Sequence, residues 1–254
     1  MAKKPYYMVS SLARGIKIIE LLANNENMTV SEVASTLDIH RTVSHRFLAT
    51  LQELGYVQKD GQSRYRLSFR LFEMGMKISN AFDIRQISRS FMQELARISN
   101  ETVNLGQLDG LEVIIIDKIV SREVIRSDLM IGARLPLTAT AQGKTFLAFL
   151  PQEESKELID RLPFQAFTPN TITNPSKLIT ELEEIRSSGF AINNEELDPG
   201  VRSISAPIFS HDGGIRFTIS IAGFARSMTD EKLSLLKKPI MKAAHEMSQL
   251  QKPK

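Results

Sequence analysis

The segment "TVSEVASTLDIHRTVSHRFLATLQELG", residues 29–55, decides the fold of the N-terminal third of this chain. Apolar residues recur at helical spacing over Val30–Leu37 and again over Val43–Leu54, with a short break between the two runs. Gly55 follows the second run, at the position where helix ends favour glycine. Two short helices joined by a tight turn are the order in which a DNA-binding helix-turn-helix presents its second helix to the major groove.

The second helix of this motif has two chemically different faces. At about 100° per residue, one side collects the apolar residues that we expect to pack inward, which are Val43, Phe47, Leu51 and Leu54. The other side is polar, and long donors near the helix start suit contacts to bases and phosphates. We expect base or adjacent contacts from Arg41, Thr42, Ser44 and His45, and phosphate contacts from Arg46, Arg64 and Arg66. A polar face that is merely solvated is the alternative.

Elements on either side complete this domain. Upstream, residues 12–22 show apolar residues at helical spacing behind a serine that can cap the first turn. Downstream, residues 56–68 alternate around a turn at Asp60 and Gly61, which predicts a two-stranded hairpin, or wing. A basic hairpin beside a groove-sized helix can reach the DNA backbone or minor groove. The basic residues of the wing are Lys59, Arg64 and Arg66.

Composition and charge narrow the class of protein. The chain has 254 residues, which favours two domains, and its apolar and charged fractions of 42% and 24% are those of a globular protein. Residues 1–82 hold 11 Lys and Arg against 7 Asp and Glu, whereas the remainder is nearly neutral. This asymmetry is typical of a nucleic-acid-binding domain joined to a second domain. No cysteine is present, so disulfides, thiol nucleophiles and cysteine-ligated zinc are excluded.

No stretch of the sequence reads as a signal peptide or a membrane span. The lysines near the start precede no apolar run of seven or more residues, and the strongest apolar run, residues 113–116, stops at Asp117. We therefore expect a cytoplasmic protein without membrane partners.

The remaining two thirds mixes helical and strand periods. A helical stripe over residues 68–82 continues into a second helix that ends near Ser99, and we expect the domain boundary in this connector. Hairpin signals stand at Asp109–Gly110 and at Asp212–Gly214. Further helices are predicted at about 140–150, 152–161, 176–188 and 229–250. The pattern predicts an α+β domain with helices packed on a mainly antiparallel sheet.

Rival classes of function find little support. The four histidines include no pair at the i, i+4 spacing of a helical metal site, and no glycine-rich phosphate loop is present. The serine, histidine and aspartate in "SHDGG", residues 210–214, are adjacent in a turn and cannot easily form a catalytic relay. We expect no enzyme, no metal and no cofactor. A winged helix used for protein contacts stays open as an alternative to DNA binding.

Three separated segments in the right order resemble the IclR family of bacterial transcription regulators. The longest is residues 11–75, from "SLARG" to "FEMG". The others are "ARLPLTATAQGKTFLAFLP", residues 133–151, and residues 182–224, which include "NNEELDPGVRSISAPIF". The resemblance covers residues 10 to about 235.

The resemblance implies a winged helix-turn-helix (residues 1–67), a helical linker (68–82) and a GAF-like effector-binding domain (83–254). It also implies a homodimer or tetramer on a two-fold-related operator, because symmetry doubles the few base pairs that one recognition helix reads. The linker stripe is one candidate dimer contact, and packing against its own domain is the alternative. A repressor whose operator affinity responds to a small organic acid is the expected function.

The effector pocket implied by the resemblance lies between a helix start and two strands. Its candidate residues are Leu135, Ala141, Gln142, Asn193, Ser203 and Ser220. A helix start offers unpaired backbone N–H groups and the positive end of its dipole, and serine hydroxyls can complete the hydrogen bonds of a small carboxylate. The sequence departs from familiar members at Asn193, Ser203, Ala222 and Gln142, and the last is bulkier than the small residue common there. The resemblance therefore does not identify the effector.

Overall fold

A computed structural model describes residues 8–80, 84–121 and 129–250 of the chain, with side chains up to residue 77 in the first of these ranges. The chain divides into two compact units, Met1–Phe82 and Asp83–Lys254.

The N-terminal unit consists of helices and one small hairpin. Its elements are α1 (Ser10–Asn24), α2 (Val30–Thr36), α3 (Arg41–Glu53), β1 (Val57–Lys59), β2 (Tyr65–Leu67) and α4 (Arg70–Asn80). The strands β1 and β2 pair antiparallel, and Met28 adds a bridge to Tyr65. The order and approximate limits of the predicted helices and wing are confirmed.

Local interactions explain why these elements begin and end where they do. Thr29 and Glu32 form a reciprocal capping box at the start of α2, with the Thr29 N–H donating to Glu32 Oε2 at 2.6 Å. Gly55 adopts a φ of +79° just after α3, a conformation that residues with a Cβ rarely take. In the wing turn, Asp60 Oδ1 accepts from the backbone N–H groups of Gln62 and Arg64.

The core of the N-terminal unit differs in detail from the predicted one. Its buried residues are Ile18, Leu22, Val33, Leu48, Leu51, Val57 and Tyr65. In α1, Leu12 and Ile16 are exposed, and no side chain caps the helix start. In α3, the inward residues are Ser44, Leu48 and Leu51, whereas Leu54 is exposed. The observed buried faces of α1 and α3 therefore differ from the predicted ones, because each helix carries more apolar residues than its packed face can bury.

The C-terminal unit is built on one sheet of six strands. Its strands are β3 (Thr102–Asp109), β4 (Glu112–Ile119), β5 (Arg134–Pro136), β6 (Ala191–Asn194), β7 (Val201–Phe209) and β8 (Ile215–Phe224). They follow the order β5-β4-β3-β8-β7-β6, and each described pairing between neighbours is antiparallel. The helices are α5 (Ile84–Ser99), α6 (Ala141–Phe149), α7 (Gln152–Arg161), α8 (Pro175–Ser188) and α9 (Asp230–Gln249). This arrangement confirms the α+β class.

The two faces of this sheet have opposite character. On one face of the sheet, the alternating residues of β3, β7 and β8 are apolar and buried. They include Val103, Leu105, Ile204, Ile219 and Ile221. The helices α5 and α9 pack on each other and on these strands. The other face is polar in the middle of the sheet and is covered by α6, against which α7 and α8 pack. The short strands β5 and β6 were not predicted, since three or four residues give too little alternation to detect.

Candidate functional site

The exposed side of α3 carries most of the predicted DNA contacts. Arg41, Thr42, His45 and Arg46 are all exposed, and they lie within the first two turns of the helix. The positive end of the helix dipole lies at the same end. In a helix-turn-helix, the N-terminal residues of the second helix are those that contact base edges.

Ser44 requires a correction. It is fully buried, and its Oγ donates to the carbonyl oxygen of Val30 at 3.1 Å. Ser44 therefore fixes α3 against the start of α2 and does not belong to the exposed face. The prediction placed it there because serine is small and polar, whereas the helix angle places it beside Leu48 and Leu51.

The two arginines of the wing have different surroundings. Arg66 is exposed on β2. Arg64 is half-buried, and its Nη1 donates to the carbonyl oxygen of Asn27 at 2.7 Å and lies 3.5 Å from Glu32 Oε2. The hydrogen bonds from Thr29, with a smaller contribution from Arg64, lower the pKa of the Glu32 carboxyl. Arg64 therefore ties the wing to the start of α2.

A cavity of about 50 Å³ lies between the start of α6 and the polar face of the sheet. The structure brings five of the six predicted effector residues to its lining, namely Leu135, Gln142, Asn193, Ser203 and Ser220. Ala141 does not line it, because its side chain is buried in the apolar cluster around α6. Five residues from five separate elements thus converge on one small space.

The start of α6 is held by its own cap. Thr140 Oγ1 accepts from the N–H of Gly143 at 3.1 Å and donates to the carbonyl oxygen of Pro136. Gly143 packs against the backbone of Leu137 so closely that a Cβ could not fit. As the first two residues of α6, Ala141 and Gln142 have N–H groups without an intrahelical acceptor. This geometry suits an anion at the helix N-terminus.

Three polar lining residues were not predicted from the sequence: Asn104, Thr140 and Asp198. Asn104 is nine-tenths or more buried, and its Oδ1 has no hydrogen-bond partner among the described residues. It pairs directly with Ser220, which in turn pairs with Ser205, so the three share one face of the sheet. The signal was available, because a single asparagine stands between the apolar residues of "TVNLG".

The cavity contains more hydrogen-bonding groups than charges. Among the lining residues that the structure describes, none is lysine or arginine, and Asp198 is the acidic one. Asn193 Oδ1 accepts from the N–H of Glu196 at 2.9 Å, which leaves its amide N–H groups for the cavity. Glu196 in turn contacts the buried Lys144, two residues beyond Gln142 in α6.

The described residues contain no group of three or more His, Cys, Asp or Glu side chains that could hold a metal ion. Within the same ranges, 8–80, 84–121 and 129–250, no helix has the length and apolar character needed to cross a membrane.

Comparison with known families and structures finds matches in both units of the chain. The model of the IclR helix-turn-helix domain matches residues 11–61, and the model of the bacterial transcriptional regulator IclR C-terminal domain matches residues 76–249. The structure is similar to the crystal structure of the Thermotoga maritima IclR, with a TM-score of 0.83 and 33% identity over 95% of this chain and 98% of that one.

Curated relatives agree with the family models. The chain is 32% identical to the HTH-type transcriptional regulator KipR of Bacillus subtilis, over 94% of this chain and 95% of that protein. It is 31% identical to the transcriptional repressor IclR of Escherichia coli, over 94% and 89% of the two chains. These are transcriptional regulators, so the enzyme class is set aside. With the exposed recognition helix and the polar cavity in place, the chain belongs to the IclR family of bacterial transcriptional regulators.

Proposed function

We propose that this chain is a cytoplasmic repressor whose operator affinity is set by a small organic acid. In this proposal residues 1–67 bind the operator, residues 68–82 link the domains, and residues 83–254 bind the effector. The observation that carries it is the outward, basic start of α3 within a helix-turn-helix of this family. Relatives that are named repressors, such as that of Escherichia coli, support the direction of regulation.

For DNA recognition we assign base or adjacent contacts to three exposed residues of α3, which are Arg41, Thr42 and His45. Arg46 and Arg66 are assigned to phosphates, because both are exposed cations, one in α3 and the other on the wing. Arg64 is assigned to holding the wing, with a phosphate contact available to its exposed part.

The operator-binding form is a homodimer in this proposal. Large apolar side chains are exposed on α1 and α4 and at the residue just before each helix. These are Val9, Leu12, Ile16, Phe69, Phe72 and Met74. Exposed apolar patches of this kind mark surfaces that bind other protein chains. A two-fold pair would present two recognition helices to two half-sites at a fixed spacing.

For the effector we assign the carboxylate to the first N–H groups of α6, at Ala141 and Gln142. The remaining polar atoms of the ligand would bond Asn193, Ser203 and Ser220, with Leu135 closing the apolar side. A ligand changes operator affinity only by its different affinity for the DNA-binding and non-binding arrangements of the protein.

The operator assignment is tested with DNA from upstream of the protein's own gene. We expect the purified chain to bind this DNA more tightly than a scrambled duplex of equal length at the same salt concentration. Equal affinity for the two duplexes would contradict it and would favour a winged helix used for protein contacts.

The effector assignment has its own test. Calorimetry against a panel of small organic acids compares the unaltered protein with a Ser203→Ala, Ser220→Ala double variant. We expect an acid that binds the unaltered protein to bind the double variant more weakly, because two hydrogen bonds are lost. Equal binding by both proteins would remove the two serines from the site.

A further inference from the structure

The side chain of Gln142 lies across the floor of the effector cavity. It is almost completely buried, although it belongs to the first turn of α6. Its Nε2 points at the sheet and lies 3.3 Å from the carbonyl oxygen of Thr218 and 3.5 Å from that of Asn104. The amide therefore rests on β3 and β8, at the centre of the sheet.

A glycine makes this position possible. A Cβ on Gly106 would lie 2.7 Å from Gln142 Nε2 and 2.7 Å from Val113 Cγ1. Real Cβ atoms do not approach other heavy atoms so closely, so either the amide or the strand would have to move. The pairing of β3 with β4 also shifts register between Leu105 and Gly106. Gly106 in β3 thus leaves room for the side chain of Gln142, which reaches the sheet from α6.

The fit leaves little room for a ligand. The cavity measures about 50 Å³, several times less than the roughly 300–1,000 Å³ of pockets that hold drug-sized ligands. Beyond its Cβ, glutamine carries four non-hydrogen atoms that alanine lacks, and here all four lie between α6 and the sheet. The side chain of Gln142 therefore fills space at the cavity floor that its truncation would open.

We propose that Gln142 is the residue that sets the size limit of the effector. Its amide closes the cavity above Gly106, so that only short organic acids fit between the sheet and the N-terminus of α6. This inference rests on the effector site proposed above and adds to it a residue that selects by length. Truncation of Gln142 should open the space over Gly106 to longer acids.

The probes are a homologous series of 2-hydroxy acids, running from glycolate through lactate and 2-hydroxybutyrate to 2-hydroxyhexanoate. The hydroxyl of these acids can donate to the buried Asn104 Oδ1, which has no hydrogen-bond partner among the described residues. Binding is measured by calorimetry for the unaltered full chain, for Gln142→Ala, and for Gln152→Ala as a control on the exposed start of α7.

We expect the unaltered protein and the control to bind the short acids and to lose affinity as the chain lengthens. Gln142→Ala should bind the longest acid at least about tenfold more tightly than the unaltered protein does, since a fitted methylene changes affinity by that order. A length profile for Gln142→Ala that matches the unaltered protein overturns the inference and leaves the effector site standing. Failure of both proteins to bind any of these acids counts against the size limit and against the organic-acid effector together.

A second measurement tests the fit of Gln142 and Gly106 without any ligand. Gly106→Ala should lower the midpoint of thermal unfolding, because its methyl group meets the amide of Gln142 and the side chain of Val113. In the Gln142→Ala background the same change should lower the midpoint less, since only Val113 then remains in the way. Equal decreases in the two backgrounds would show that the amide does not lie over Gly106, and would overturn the inference.

Discussion

Lys144 Nζ lies 2.7 Å from Glu196 Oε1 in the interior of the C-terminal unit, and both side chains are buried. Lys144 also contacts Glu181, which reaches the surface from α8. The backbone N–H of Glu196 donates to Asn193 Oδ1 at the edge of the cavity. The buried pair therefore connects the helix that starts at the proposed effector cavity with the strand that lines its far side.

Replacing Lys144 with methionine should destabilise the C-terminal unit strongly. The change leaves Glu196 buried without its cation, a situation that costs on the order of 3–5 kcal/mol in other proteins. We expect a loss of stability near the lower end of that range. Glu181, the second carboxylate that contacts Lys144, is partly exposed, so water can screen its charge. Urea unfolding of the full chain gives the change in the free energy of unfolding.

Two further variants make this measurement specific. Lys242→Met removes an exposed cation 3.8 Å from Glu246 and should change the free energy of unfolding by less than about 1 kcal/mol. The double variant Lys144→Met, Glu196→Met removes both buried charges and should recover much of the lost stability. Similar losses for Lys144→Met and Lys242→Met would contradict a buried, energetically coupled pair.

The pH dependence of stability should carry the signature of Glu196. Burial raises the pKa of its carboxyl above the ordinary 4.5, against the opposing effect of Lys144. The folded protein therefore holds the carboxyl proton of Glu196 more tightly than the unfolded chain does. The resulting contribution to the stability of the folded state is present below pH 4.5 and is lost as pH rises through the folded pKa. Relative to Glu196→Gln, the unaltered protein should lose stability with rising pH across that window. A difference that stays constant from pH 4 upward would exclude a raised pKa.

Local chemistry made the fold largely predictable. Asp60, Thr29 and Gly55 mark the ends of elements by their own hydrogen bonds or backbone angles. Their residue types are those that favour turns, helix starts and helix ends. Which apolar residues of a helix pack inward depends on neighbouring elements. For this reason Leu54 was predicted to be buried although it is exposed, and Ser44 was predicted to be exposed although it is buried.

The candidate effector site was predictable only through the family resemblance. Periodicity alone does not bring Leu135, Gln142 and Ser220 together, because they belong to three elements that meet only in the folded sheet and its covering helix. Asn104 was overlooked since its strand reads as an ordinary buried one. The placement of the Gln142 amide over Gly106 depends on the register of β3 and on the position of α6, and neither is encoded in local patterns.

Substitutions in α3 and the wing should separate base contacts from phosphate contacts. Arg41→Ala should weaken binding to the operator by about 1–3 kcal/mol and binding to scrambled DNA much less, because a base contact carries the preference. Arg66→Ala should weaken binding to both duplexes. It should also reduce the slope of log affinity against log salt by about 0.9, the value expected when one phosphate contact is lost.

Fluorescence anisotropy over a range of salt concentrations measures both quantities. Arg97→Ala serves as the control, because this exposed arginine lies in α5 of the other unit and pairs with Glu94. It should leave affinity and salt slope unchanged. Identical behaviour of Arg41→Ala and the unaltered protein on the operator would remove Arg41 from the base contacts.

Charges placed on the exposed apolar side of α1 or α4 should dissociate the proposed dimer. Leu12 and Phe72 are 65% and 63% exposed, so Leu12→Glu and Phe72→Glu leave the core of the unit intact. At a self-contacting surface, however, a buried and unpaired carboxylate opposes association. Sedimentation should show a dimer for the unaltered protein and a monomer for each variant, with weaker operator binding because one half-site is lost. Leu235→Glu, at a comparably exposed leucine in α9, should keep the mass of the unaltered protein. Unchanged mass for both Leu12→Glu and Phe72→Glu would place the dimer contact elsewhere.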